Sequence, residues 1–537
     1  QLAALFPMSG VSHRGPAPGF DGVGKVHFRF KPKPPPRGHR KLAIIVYALL
    51  FSCITISFSW TRPYLKDGYV VPLLRNIVRF GDQLKLMLAS GKPAEYGQSI
   101  DGNGYAHLTG ANMSAVLYAQ GYQHASDKLL QMEFSRRTVL GTLSEYYGNS
   151  TVESDKLYRA LNFVDLARED YQNLKNEDKE QLDAYAAGVN AYLLEASAGQ
   201  TGSTLPLDFD LLFGLSTRSF SIMPWESYHT LALLRLVTYE WGNGWEDSVK
   251  KEVFAAVTHM DAESLWFNVE KTTSESQGAK RAHLPSLNGV VVAVSGTKSA
   301  TGKPLLANSL NTLAQHSGLW YFNSLRVPGE LVVSGASIPG IPFVWIGRNQ
   351  HVSWGITPTS HSTAEEIIIT DSAAVEETIT TREEVIRVRG LEESLVHFAR
   401  RTAAGPVISD HFSPVLASAV QMNLPNWRHV ALKTAALCPN LSISFLQKLN
   451  QATNDEQVRE AAVGASQLDI NIVYSVKQSG AIGMVTPDSG DDQDVLDDSD
   501  IIVSGASSGD QHDRICSLLR CDSNKKVTVT ALKRVLT

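Results

Sequence analysis

The chain has 537 residues, 43% of them hydrophobic and 19% charged, a globular composition with room for a large core or two to three domains. Its net charge of −5 leaves no basic excess for a nucleic-acid partner. Four cysteines with no Cys-x-x-Cys pair argue against a disulfide framework or a zinc site.

The first residue is Gln1, which fits either a removed leader or a sequence that starts inside its gene product. Residues 1–41 carry Arg14, Lys25, Arg29, Lys31, Lys33, Arg37, Arg40 and Lys41 against the single acid Asp21. Pro32, Pro34, Pro35 and Pro36 keep this arm extended. It reads either as a solvated tail or as an arm lying along a partner or anionic lipid. Residues 42–61 (LAIIVYALLFSCITISFSWT) hold no charge. At ~1.5 Å per residue they span about 30 Å, the thickness of a bilayer core. Arg40 and Lys41 before the span put the N-terminus on the cytoplasmic or matrix-like side and the bulk of the chain on the trans side. Residues 62–94 read as a connector.

Apolar residues recur at helical spacing from Met113 to Leu140, with charges on the other face. Asp127, Arg136 and Arg137 on it read as structural ion pairs. Residues 155–275 read as mainly helical, with candidates at Asp178–Glu195, Trp225–Tyr239 and Trp245–Val257. After a polar stretch from Ser274 to Pro285, a β-run (Val290–Val294), a Ser-Gly turn and a short apolar run (Pro304–Ala307) predict a hairpin. Alternating runs after Leu319 and at Glu384–Val388 predict strands, and Asp469–Val476 with Ala481–Val485 predicts a second hairpin. Pro487–Asp500 holds seven Asp in 14 residues, read as a solvated loop or a weak calcium site.

Three blocks resemble the penicillin amidase (penicillin acylase) family of N-terminal-nucleophile hydrolases. Asp101-Gly102-Asn103-Gly104-Tyr105-Ala106-His107-Leu108, with Ala119-Gln120-Gly121-Tyr122, His124-Ala125 and Asp127 to Glu133, is similar to the opening of that family's α-chain. Val294-Ser295-Gly296 and Ser299 to Asn308 are similar to the start of its β-chain. Ile338-Pro339-Gly340-Ile341-Pro342, Ile346-Gly347-Arg348-Asn349 and Ser353-Trp354-Gly355-Ile356-Thr357 continue it. Asp513-Arg514-Ile515 with Leu518-Leu519 resembles a late family segment, and a long family stretch before it is missing. The resemblance implies an α+β fold: an αββα sandwich of the N-terminal-nucleophile hydrolase kind. Residues 95–285 would be its helical α-chain-like part and residues 286–537 its shortened β-chain-like sandwich.

The resemblance also implies where chemistry should sit. In the family the β-chain's N-terminal Ser attacks an amide and its own α-amine, freed by self-cleavage, is the base. Counting back from Val294-Ser295-Gly296, the nucleophile position falls on Gly289, which has no side chain. The fallback is Ser286, three residues upstream and so about 10 Å away along a strand at ~3.3 Å per residue. The family's active-site His or Gln corresponds to Asn311, and one oxyanion-hole N–H corresponds to Pro358, which has none. Asn471 matches the other oxyanion donor, and the calcium-associated carboxylates correspond to Ser362 and Glu365. No cofactor or working metal site is expected.

The leading expectation is a membrane-anchored, catalytically inactive relative. It would be an accessory subunit among the other subunits of a large membrane complex, with a mitochondrial inner membrane and a respiratory complex as first guess. It would contact the bilayer through residues 42–61 and bind no nucleic acid. The alternatives are an active amidase using Ser286, and an acyl- or lipid-binding protein using the vestigial pocket.

Overall fold

The computed structural model describes residues 85, 87–90, 95–197, 223–242, 245–258, 289–309, 319–358, 365–370, 379–439, 442–468, 470–486, 500–505, 515, 517, 519, 526–529, 531 and 532. The expected arm and the span at residues 42–61 lie outside them. Among the described residues no helix is long and apolar enough to cross a membrane.

From residue 95 the described chain runs through a hairpin, β1 (Tyr96–Ile100) and β2 (Ala106–Gly110), and then turns helical. Helix α1 (Met113–Leu140) starts where Asn112 accepts a hydrogen bond from the Ala115 N–H and stops at Gly141, in the left-handed conformation. Then come α2 (Val152–Leu161), α3 (Phe163–Asn173), α4 (Asn176–Ser197), α5 (Ser227–Gly242) and α6 (Trp245–Thr258). The long helices α1 and α4 cross backbone to backbone. A Cβ on Gly121 would lie 2.1 Å from the Tyr185 carbonyl oxygen, and one on Gly188 would lie 1.9 Å from that of Tyr118.

The second half supplies β3 (Val291–Val294), β4 (Leu305–Asn308), β5 (Tyr321–Val327), β6 (Leu331–Ile338), β7 (Ile341–Arg348), β8 (Val352–Pro358), β9 (Glu365–Thr370), β10 (Thr380–Ile386) and β11 (Leu395–Arg401). It continues through α7 (Pro414–Asn423), β12 (His429–Thr434), α8 (Ser444–Gln451), α9 (Asp455–Val463), β13 (Ile470–Val476), β14 (Ile482–Val485) and β15 (Ile501–Ser504). Eight strands make one sheet in the order β1-β2-β5-β6-β7-β8-β13-β14, antiparallel except for the parallel β2/β5 pair. Three make a second sheet, β15-β3-β4, while β9/β12 and β10/β11 pair separately.

Strand alternation sets the layers. On β13, Ile470, Ile472, Tyr474 and Val476 face the helices and join the main core with α1, α4 and α5. Val473 faces the other way and packs with Val291, Ala293, Ile482 and Ile502 of the second sheet. The far side of that sheet, Val290, Val292 and Val294, packs on Ile515, Leu519, Val527 and Leu532. The described chain is thus a mixed helix-and-sheet molecule with two sheets face to face.

Both predicted hairpins form, Val291–Val294 with Leu305–Asn308 and Ile470–Val476 with Ile482–Val485. One partition differs. The hairpin β1/β2 comes from the helical half of the sequence but extends the large sheet through Ala106–Thr109 beside Asn323–Arg326. The alternation of Ala106, Leu108 and Gly110 buried with His107 and Thr109 exposed explains why it docks there. Asp127 also differs from its reading. Among the described residues it accepts hydrogen bonds from the Tyr321 hydroxyl (2.6 Å) and Gln123 (2.7 Å) rather than pairing with a cation. Arg136 and Arg137 do form ion pairs, both with Glu133.

Candidate functional site

Gly289, the position that the resemblance assigns to the nucleophile, lies two residues before β3. The backbone there is closed: a Cβ added to Gly289 would lie 2.2 Å from the Ser309 carbonyl oxygen, far inside contact distance. That carbonyl is fixed by its own strand, since the Ser309 N–H donates to the Val290 carbonyl at 2.8 Å. The Asn308 side chain reinforces the closure. Its amide N–H donates to the Ser309 carbonyl at 3.0 Å and its oxygen accepts the Ile356 N–H at 3.1 Å. Gly355 makes the approach possible, because a Cβ there would lie 2.5 Å from the Asn308 Oδ1.

Four polar side chains line the adjacent ends of the two sheets. The Thr357 and Ser504 hydroxyls share a 2.7 Å hydrogen bond. Asn471 Nδ2 lies 3.5 Å from the Ser504 hydroxyl, and Asn471 Oδ1 accepts from Thr486 at 2.7 Å. The β8/β13 register places Thr357 directly opposite Asn471. Gly505, with a positive φ of 83°, closes the corner, since a Cβ there would lie 2.1 Å from the Gly289 carbonyl and 2.8 Å from the Thr357 methyl. The cluster is hydroxyls and amides only, so none of its groups changes charge near neutral pH. It can hold strand ends together. It contains no imidazole, amine or carboxylate, and position 289 carries no side chain.

The expected site residues therefore divide. Gly289 and Asn471 come to the same end of the two-sheet interface. Pro358 ends β8 opposite Ile470. Glu365 lies on β9 opposite Thr434. Ser286, Asn311 and Ser362 fall outside the described residues. Of the two positions that the resemblance links to calcium, Ser362 lies outside the described residues and carries a hydroxyl, a weaker Ca²⁺ donor than a carboxylate. Among the described residues no group of three or more His, Cys, Asp or Glu is placed to hold a metal. Cys438 is a free, exposed thiol, and the other three cysteines lie outside the described residues.

Sequence reasoning missed Asn308, Thr486 and Ser504. Asn308 ends a matched block and carried a signal. Thr486 and Ser504 are brought in by pairing between distant segments, which no local pattern announces.

A second buried polar cluster lies on the helix face of the large sheet. His124 on α1 contacts the Tyr185 hydroxyl through Nδ1 (2.7 Å) and the Ser337 hydroxyl through Nε2 (2.9 Å). Ser337 donates to the Tyr321 carbonyl, so Nε2 carries the proton and Nδ1 accepts from Tyr185. Tyr185 in turn accepts the Gly340 N–H at 2.9 Å. Full burial pushes the His124 pKa down to about 3. This Ser–His contact is chemically idle, because the imidazole lone pair points at Tyr185 and not at Ser337.

The penicillin amidase family model matches residues 99–513 of the 537. Among curated proteins the chain is similar to the penicillin acylase 2 proenzyme of Pseudomonas sp. strain SE83, with 26% identity over 421 residues, 71% of this chain and 51% of that one. It is also similar to the acyl-homoserine lactone acylase QuiP of Pseudomonas syringae pv. tomato, with 29% identity over 268 residues, 45% of this chain and 31% of that one. The chain spans about half or less of the length of these relatives. Among solved structures it is similar to a thermostable penicillin G acylase from Alcaligenes faecalis, with 21% identity and a TM-score of 0.30 over 37% of this chain and 35% of that one.

Proposed function

The chain belongs to the penicillin amidase family, and on that premise we propose that it is a member without amide-hydrolysing chemistry that serves as a structural subunit of a membrane assembly. Its layers are read as a shortened N-terminal-nucleophile hydrolase sandwich. The observation that carries the reading is the closed backbone at Gly289, where the Ser309 carbonyl fills the space a serine Cβ would need. A missing hydroxyl alone could be one substitution from repair. A backbone that also excludes the side chain requires β3 and β4 to move apart.

Pro358 supports the same reading, since removing one oxyanion donor typically costs ~10²–10³ in rate. Without a nucleophile the chain cannot cut itself, so it stays continuous through residues 286–289. The charge-free stretch at residues 42–61 anchors it, with the basic flank on the cytoplasmic or matrix side. An organelle inner membrane, mitochondrial in the first instance, is the proposed location, with a respiratory complex as host.

The test is gentle solubilisation of the native membrane, a native gel, and a denaturing second dimension probed for this chain. An uncut chain migrating in a large assembly supports the proposal. Two fragments meeting near residue 287, with amide hydrolysis lost on Ser286→Ala, would replace it with an acylase like the curated relatives.

A further inference from the structure

The two sheets are unequal: three strands lie against eight. The small sheet covers β8, β13 and β14, and among the described residues no strand lies over the corresponding face of β2, β5 and β6, although Ala336 and Ile346 at its far end are buried. Register defines what this open face carries. His107 lies beside Ser324, Ser324 is opposite Ser334 and Ser334 is opposite Arg348, while Arg326 is opposite Val332. Tyr105 folds over it, its hydroxyl donating to the Asn323 carbonyl at 2.9 Å and its ring 6.3 Å from Phe322 and 5.2 Å from His107. Phe322 is 50% exposed and Val332 38% exposed. Arg326 and Arg348 are exposed and have no ion-pair partner among the described residues. An exposed phenylalanine with a half-buried tyrosine and two exposed arginines on one face matches the aromatic and arginine enrichment of protein interfaces.

A strand edge borders this face. Among the described residues β4 is the outer strand of the small sheet, pairs only with β3, and lies over β8. In the β3/β4 ladder the Val290/Ser309 pair is hydrogen-bonded, so Val292/Ala307 and Val294/Leu305 are too. The N–H groups of Leu306 and Asn308 therefore point away from β3. An open edge of this kind accepts a strand from another chain.

We propose that a partner polypeptide adds a strand to β4 and lies across β7, β6 and β5, with acidic side chains meeting Arg326 and Arg348 and apolar ones meeting Phe322, Tyr105 and Val332. The face is about 20 Å by 19 Å, on the order of 400 Å², from strand rise and spacing. That is roughly half the ~800 Å² per partner of a stable complex. The main-chain pairing along β4 supplies the remaining fixation. This deepens the subunit reading and rests on it.

Hydrogen exchange by mass spectrometry on the chain, free and in its native assembly, reads the edge directly. The expected result is exchange at Leu306 and Asn308 slowed on the order of 10-fold or more in the assembly. A photo-crosslinking residue at position 322 should capture one acidic segment of a neighbouring subunit, and the same residue at position 398, exposed on β11, should not capture that segment. R326E/R348E should release the chain from the assembly without shifting its melting temperature. Absence of any assembly sinks both readings. An assembly that forms with unchanged exchange at Leu306 and Asn308 and no crosslink from position 322 sinks this inference alone.

Discussion

Two polar clusters lie on opposite faces of one sheet. The His124–Tyr185–Ser337 cluster on the helix side ties α1 and α4 to β6. The Thr357–Asn471–Thr486–Ser504 cluster on the other side ties β8, β13 and β15 at the end where Gly289 sits. The first contains a hydroxyl, an imidazole and a phenol; the second contains no titratable group at all. The first spends its one basic nitrogen on Tyr185, and the second lies at the end where the resemblance assigns the nucleophile position to Gly289. At Gly289 the room that a side chain would need is filled by the Ser309 carbonyl.

The comparison can be strained from the helix side first. Asp170 holds Arg235 with contacts to Nε (2.9 Å) and Nη2 (2.5 Å), and both side chains are essentially fully buried. Asp170→Ala leaves that guanidinium uncompensated and should cost ~3–5 kcal/mol in denaturant unfolding. A cost below ~1 kcal/mol would show that α3 and α5 are not locked as described. Gly188→Ala forces α1 and α4 apart and should cost ~2–4 kcal/mol, with Gly121→Ala close behind.

His124 sharpens the contrast through pH. Its folded pKa of about 3 lies below the 6.5 of a free imidazole, so the unfolded chain binds the extra proton between those values. Stability contributed by the neutral ring is therefore complete above pH 6.5. It falls on acidification by up to ~1.4 kcal/mol per pH unit, and levels off below about pH 3. His124→Gln should flatten the slope in that window. An unchanged slope would mean that His124 is not what titrates.

On the other face the effects are smaller. Gly289→Ser restores a hydroxyl but drives its Cβ into the Ser309 carbonyl, so it should cost ~1–3 kcal/mol and yield neither cleavage nor amidase activity. Ser504→Ala removes the hydroxyl shared with Thr357 and should cost about 1 kcal/mol, with no change in any activity.

Much of this architecture is legible in the sequence. The spacing from Met113 to Leu140 marks α1 end to end, and short apolar runs bounded by turn residues find β3, β4, β13 and β14. Helices α7 and α9 were overlooked although their caps were present: Ser413 before Pro414, and Asn454 accepting from the Gln457 N–H. The polar site was only half readable. Gly289 and Asn471 follow from aligned blocks, whereas Ser504 reaches Thr357 only because β15 pairs with β3 across two hundred residues. The closure by Ser309 is invisible in sequence, because it is made by a backbone carbonyl.

The most direct test is labelling of free terminal amines in the native protein, followed by mass spectrometry across residues 280–295. The account predicts an intact peptide running through Leu287, Asn288 and Gly289, with no labelled amine in that window. A labelled amine on Ser286 or Gly289 would contradict it, since self-cleavage would then have survived the loss of the side chain at position 289.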